Sequence, residues 1–250
     1  MGIDMSHLTG NVALVTGGSR GIGAAIARRL ARDGADVALT YVSAPDKANT
    51  VVAEIEATGR RGLALHADAA HPAAVAAAID RTAAELGRLD ILVNNAGIFV
   101  PSPFEDTTLD EIERYWTINI RAAIIAIQAA IKHMGDGGRI INIGSCVAER
   151  VPGPGLALYA MTKSALVGLT KGLARDLGSR GITVNCVEPG PIDTDMNPAD
   201  AAQADDQRRA TALNRYGTPD EVAALVAHLA SPEARNITAA TLLIDGGFAA

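Results

Sequence analysis

Tyr159 and Lys163 stand four residues apart in the apolar stretch LYAMTKSALVGLTKGL, which runs from Leu158 to Leu173. On a helix that spacing puts a phenol and an ammonium on one face, one turn apart. Two readings compete. Each side chain may be an edge residue of an amphipathic helix, carrying its polar tip to water. Alternatively the two form a proton-transfer pair, in which the ammonium lowers a phenol pKa that is ordinarily about 10. A second stretch bears on the choice. In TGGSRGIG, Thr16 to Gly23, glycines at 17, 21 and 23 follow an apolar run and precede a helical pattern. Such a turn lets backbone approach a phosphate and aims the free N–H groups of a helix start at it. The spacing is T-G-x-x-x-G-x-G rather than G-x-G-x-x-G.

The elements that must position these residues alternate along the chain. NVALV reads as a buried strand, followed by a helix over 22–33, a strand over 36–42 and a helix over 46–58. A strand over 63–66, a helix over 72–86 and the strand DILVNNAG come next. Helical material over 109–134 leads to the strand GRIINIGS, the Tyr159 helix and the strand ITVNCVEPG. A helix over 219–229 and the strand ATLLIDGG close the pattern. Short apolar strands alternating with helices predict an α/β fold: one doubly wound, Rossmann-type parallel sheet of seven strands with helices on both faces. No linker or fixed-period repeat divides it, so residues 1–250 read as a single domain.

Composition narrows the function classes. With 48% hydrophobic and 20% charged residues the chain is globular in character, and its net charge of −6 argues against nucleic acid or an anionic membrane as partner. Cys146 and Cys186 are too few for a disulfide framework, which points to a reducing, cytoplasmic setting. The opening MGIDMSHLTG lacks the pattern of a secretory signal, and Arg121, Gln128 and Lys132 interrupt the apolar stretch near Ile124. The five histidines show no metal-ligand spacing, and no metal is expected.

TGGSRGIG, NNAG (Asn94 to Gly97), Ser145, YAMTK (Tyr159 to Lys163) and the pair Pro189 and Gly190 occur together in one order and spacing. In this the chain resembles the short-chain dehydrogenase/reductase family, and within it the 3-oxoacyl-(acyl carrier protein) reductase-like ketone reductases. The resemblance spans essentially the whole sequence, to LIDGG near its end. It implies a catalytic tetrad of Asn119, Ser145, Tyr159 and Lys163, reducing a carbonyl with a nicotinamide cofactor. Tyr159 would exchange the proton, Lys163 would lower the phenol pKa and hold the nicotinamide ribose, and Ser145 would polarise the carbonyl. Asn119 would kink its helix and serve a proton relay. IGSCV lacks the second glycine of a hydrolase elbow, so a serine-hydrolase role is set aside.

The resemblance also implies cofactor contacts at Gly17, Ser19, Arg20, Gly21, Ile22, Gly23, Tyr41, Ser43, Asp68, Asn95, Ala96, Gly97, Pro189, Gly190, Ile192 and Thr194, besides Tyr159 and Lys163. VALTYVSAP, at the end of the second strand, holds no acid to accept from an adenosine ribose. Arg20 is a cation placed for a 2′-phosphate, unless it is a solvated loop charge. NADPH/NADP is therefore expected over NAD.

The substrate walls are expected from 146–158 and 194–214, and VAERVPGPGLAL suits a hydrophobic ketone or β-keto ester. Family members that dock an acidic carrier use two basic positions. Arg180 matches one, but Asp136 stands at the other. A free-ketone reductase is thus preferred to a 3-oxoacyl-carrier-protein reductase. Cys146 either lines the pocket or has a redox role. Ser164, Gly168 and Gly172 form a small-residue stripe, serving either packing within one subunit or the homodimers and homotetramers usual in the family. A non-catalytic nucleotide-binding regulator is the alternative of another class.

Overall fold

The computed structural model describes residues 7–250, so residues 1–6 of the opening used in the signal-peptide reading lie outside the described residues. Seven strands are present: β1 (Val12–Val15), β2 (Asp36–Tyr41), β3 (Gly62–His66), β4 (Ile91–Asn94), β5 (Arg139–Ile143), β6 (Thr183–Pro189) and β7 (Thr241–Ile244). They form one sheet in the order β3-β2-β1-β4-β5-β6-β7, every pair parallel. β1, β4 and nearly all of β5 and β6 are fully buried. This is why they read as continuous apolar runs without alternation.

The helices are α1 (Gly21–Arg32), α2 (Pro45–Glu56), α3 (Pro72–Leu86), α4 (Leu109–Tyr115), α5 (Ala122–Ala130), α6 (Ala157–Leu177), α7 (Ala204–Ala210) and α8 (Pro219–Ala230). Local chemistry sets several ends. Pro72 opens α3, and Gly87 closes it in the left-handed region at φ 90°. Thr108 with Glu111 and Thr218 with Glu221 form reciprocal capping boxes at α4 and α8. Two apolar cores sandwich the sheet. One gathers Ile26, Leu30, Val222 and Val226 of α1 and α8, the other Ile79, Ala126, Ile127 and Ala174 of α3, α5 and α6.

Two expectations need correction. The single helical stretch over 109–134 is divided by a widened π-helical turn at Trp116–Arg121, where Asn119 turns its amide to a neighbouring loop. The loop expected over 194–214 contains α7, whose sequence ADDQRRA offers no apolar periodicity to announce a helix. Among the described residues no helix is long and apolar enough to cross a membrane.

The strand order reverses between β1 and β4, and the crevice beyond strand carboxyl ends at such a point is where doubly wound sheets bind ligands. A buried polar rung ties α6 to the sheet there. Asn94 Nδ2 donates to Asn142 Oδ1 at 2.9 Å, and Asn142 Nδ2 donates to Thr170 Oγ1 at 2.9 Å. Thr170 lies two turns beyond Lys163 on the same face of α6, so the rung fixes the rotation that turns Lys163 inward.

Candidate active site

Lys163 is 5% exposed, and its Nζ donates to the carbonyl of Ile143 at the end of β5, 2.9 Å away. The same Nζ lies 5.5 Å from the centroid of the Tyr159 ring. Tyr159 is half-buried, with the Phe99 ring against its own edge-on at 4.9 Å. Ser145 lies two residues past the end of β5 and is buried; its Oγ accepts from Val147 N at 3.3 Å. Asn119 is also buried. Its Oδ1 accepts from Ile98 N at 2.8 Å, and its Nδ2 donates to Ile98 O and to Thr162 Oγ1, both at 3.1 Å. Asn119 and Lys163 converge at Gly97, where an added Cβ would lie 3.4 Å from Asn119 Oδ1 and 3.7 Å from Lys163 Nζ.

The electrostatics correct one expectation. Burial pushes the Tyr159 phenol up to about 12, while the Ser145 hydrogen bond pulls the other way. The ammonium was expected to lower it; within the chain alone, desolvation wins. Burial also brings Lys163 down to about 8, against an upward pull from Cys186 and Glu188.

The glycine turn is built as a cradle. Gly17 N donates to Thr40 Oγ1 and Gly18 N to Thr40 O, both at 2.9 Å, fastening the turn to the end of β2. A Cβ at Gly23 would meet Gly17 O at 2.4 Å and Asn95 Nδ2 at 2.5 Å, so any side chain there would wedge the turn open. Asn95 Nδ2 donates to the carbonyls of Thr16 and Gly17, and Thr16 Oγ1 accepts from Asn95 N and Ala96 N. Asn95 and Ala96 therefore brace the turn from behind. Ser19 lies in the turn that Gly21 and Ile22 carry into α1, and a Cβ added at Gly21, which sits at φ 54°, would lie 3.5 Å from Thr194.

At the mouth, Arg20 and Lys47 converge on one oxyanion. Asp195 Oδ2 lies 3.0 Å from Lys47 Nζ and 3.8 Å from an Arg20 guanidinium nitrogen. Tyr41, packed edge-on against His66 at 5.6 Å, and exposed Ser43 lie on the same side of the turn. Asp68 Oδ1 accepts from Ala70 N at 2.8 Å beside a narrow recess lined by Thr16, Thr40, Ala67, Ala69, Asn94 and Ala96. On the far side, Pro189 ends β6 and Gly190 packs so close to Asp245 that a Cβ would meet its Cα at 2.6 Å. Buried Ile192 bridges to Gly217, and Thr194 turns back on Asn197. Bare backbone at a helix start with two cations beside it is a donor set suited to a phosphorylated dinucleotide.

The family model described as enoyl-(acyl carrier protein) reductase matches residues 17–249. A short-chain dehydrogenase from Burkholderia cenocepacia J2315, solved in complex with NADP, is 59% identical and superposes with a TM-score of 0.96 over 98% of this chain and 100% of that one. The chain belongs to the short-chain dehydrogenase/reductase family. A blue fluorescent protein from a metagenomic library, solved in complex with NADPH, is 57% identical with a TM-score of 0.96, covering 98% of this chain and 100% of that chain. The cyclic-di-GMP-binding biofilm dispersal mediator protein of Escherichia coli (strain K12) is 47% identical over 246 residues, 98% of this chain and 100% of its own length. Like its family, the chain is an oxidoreductase.

Several residues escaped sequence reasoning. Thr40 and Thr162 act only through contacts that folding creates. Lys47 and Asp195 are 148 residues apart and meet through the fold. Lys47, the second residue of the second predicted helix, was nonetheless a visible cation beside the acid-free strand end. Cys146 is buried and its thiol is pushed up to about 12 by burial, which removes the thiolate that redox chemistry needs. Gly168 and Gly172 have nothing within 4 Å of an added Cβ, so the stripe they form with Ser164 does not serve packing within one subunit. Arg180 spends its guanidinium on the carbonyls of Ile131 and Met134 at the end of α5.

Proposed function

We propose that this reductase carries out the reversible, NADPH-dependent reduction of a ketone to a secondary alcohol. The observation that carries the reading is Tyr159 with the buried Lys163 ammonium 5.5 Å from its ring, Lys163 being anchored on the carbonyl at the end of β5 where the sheet opens. When bound, NADPH supplies the hydride. Tyr159 gives its proton to the oxygen that becomes the alcohol, and a phenol held near 12 still carries that proton at neutral pH. Ser145 donates to the same oxygen and polarises the carbonyl. Lys163 holds the nicotinamide ribose, and Asn119 fixes the 98 backbone and completes the proton relay to solvent. Gly17 to Gly23 and the bracing pair Asn95 and Ala96 hold the pyrophosphate side. Arg20 and Lys47 take the 2′-phosphate in place of the Asp195 carboxylate. Asp68 receives the adenine amino group.

The substrate we assign is a free, hydrophobic ketone or β-keto ester. Val151, Met196 and Leu213 are exposed apolar side chains on the two segments expected to wall the pocket. Docking of an acidic carrier is disfavoured because Arg180 is engaged with backbone and Asp136 is exposed. The open stripe on α6 suits pairing with a second copy in a homodimer or homotetramer, and two free cysteines suit the cytoplasm. A second reading, a nucleotide-binding regulator, is favoured by the printed name of the Escherichia coli relative alone.

The test is a ketone panel with NADPH, followed at the nicotinamide absorbance band, with cyclic-di-GMP binding measured in parallel. Oxidation of NADPH on at least one apolar ketone supports the reductase. Tight cyclic-di-GMP binding with no turnover across the panel would favour the regulator.

A further inference from the structure

Glu188, next to last in β6, is 0% exposed, and neither of its carboxylate oxygens has a hydrogen-bond partner. An acid removed from water without a partner is strongly unfavourable, so something else must compensate it or set its charge. Its side chain lies over Gly144. A Cβ at that glycine would come within 3.0 Å of Glu188 Cγ, 3.4 Å of Oε1 and 2.8 Å of Cys186 Sγ. Gly144 follows Ile143, whose carbonyl accepts from Lys163 Nζ, and Gly144 N donates to Val187 O at 2.7 Å. One bare glycine, clamped between two strands, therefore separates the Glu188 carboxyl from the peptide that holds the Lys163 ammonium.

We infer that Glu188 is a positioning residue that keeps Lys163 protonated, its carboxylate acting as counter-charge to the ammonium held on the peptide that leads into Gly144. This rests on the role given to Lys163 in the proposed reduction. Charges of both signs face Glu188, and the two cations among them favour its carboxylate. Burial pushes its carboxyl up to about 7; Glu149, after the turn that follows β5, adds to this, and so does Asp245 beyond β7. Lys163 and Lys171, both on α6, pull it back. The Cys186 thiol alongside is pushed up to about 12 by burial and by Glu188, so it stays neutral. Between about pH 7 and pH 8 the cluster holds one carboxylate and one buried ammonium, whose titrations are those of a pair.

The chain has only four lysines, Lys47, Lys132, Lys163 and Lys171. A ¹³Cε-lysine NMR titration of the whole protein reads Lys163 directly, with Lys163→Arg assigning its signal. Glu188→Gln should lower the Lys163 midpoint by about one pH unit, the loss expected when an opposite charge nearby is removed, while Lys47 and Lys132 stay in place. A Lys163 midpoint unchanged in Glu188→Gln overturns the inference. Should that variant fail to fold, Glu188→Asp decides: a midpoint shifted part of the way supports the inference, and an unchanged one overturns it. The alkaline limb of kcat/KM separates this from the proposed function. If the lysine midpoint moves and the limb does not, Glu188 still governs Lys163, and it is the part played by Lys163 in turnover that fails.

Discussion

Replacing Arg20 by alanine should separate the two nicotinamide cofactors. Arg20 and Lys47 already draw a single carboxylate oxygen of Asp195, at 3.8 and 3.0 Å. A phosphate dianion in that place would make charge-assisted hydrogen bonds worth about 1.5–3 kcal/mol. The Arg20 side chain is 62% exposed, and solvent screening takes the expected loss to the lower end, about 1.5 kcal/mol or roughly tenfold in Kd. NADH, which lacks the 2′-phosphate, should bind the variant as it binds the parent. Asp195→Asn should act in the opposite direction, because it frees both cations. An exposed ion pair is worth about 0.2–1 kcal/mol, so NADPH should tighten by about 1.5–5-fold, less at high salt. Cofactor fluorescence titrations at low and high salt measure all of these. Equal losses for NADPH and NADH in Arg20→Ala, or weaker NADPH binding in Asp195→Asn, would refute the reasoning.

Gly23→Ala should abolish cofactor binding, since its Cβ would sit 2.4 Å from Gly17 O; an affinity within threefold of the parent by the same titration would show that the cradle yields. The stability difference between Glu188→Gln and the parent should depend on pH. A carboxyl raised to about 7 stabilises the parent fully below its unfolded value near 4.5, and that contribution is lost as pH rises through 7. The lost contribution is roughly 3 kcal/mol, and a further-lowered Lys163, whose contribution rises with pH, adds to the variant's gain instead of offsetting it. Denaturant melts at pH 5 and pH 8 should therefore show the variant gaining about 3 kcal/mol on the parent; a constant difference would contradict the buried carboxyl. Attaching a β-keto acyl group to carrier protein should give no gain in kcat/KM over the small ester, and Asp136→Arg should help the carrier-bound form more, most clearly at low salt. A strong preference of the parent for the carrier form would restore the fatty-acid reading.

The sheet was legible because each strand is a short run of buried apolar residues between helix signals, and VALV or RIINI can hardly be anything else in an alternating chain. The tetrad residues were legible by motif, and the i, i+4 spacing of Tyr159 and Lys163 carried its own physical meaning. What the fold alone decides stayed hidden. The resemblance implied a kink at Asn119, but not that its amide would bond the backbone of Ile98, 21 residues away, from a widened turn at Trp116–Arg121. The direction of the Tyr159 shift depends on how deeply α6 is packed, which no spacing encodes. Within ITVNCVEPG nothing marks Glu188 as buried; only the absence of a side chain at Gly144, just past β5, makes room for it. Lys47 and Asp195 belong to segments with no sequence relation at all.

The central claim is that Tyr159 delivers the proton in a carbonyl reduction, and Tyr159→Phe tests it most directly. The substitution removes one oxygen from a side chain whose ring packs on Phe99, so the fold and the cofactor cradle should persist. NADPH affinity and turnover of the best ketone from the panel should be measured on the same preparation. The account predicts affinity within a few-fold of the parent and a loss of turnover of about a hundredfold or more, the usual worth of general acid catalysis. A variant that keeps more than about a tenth of the parent turnover would contradict it.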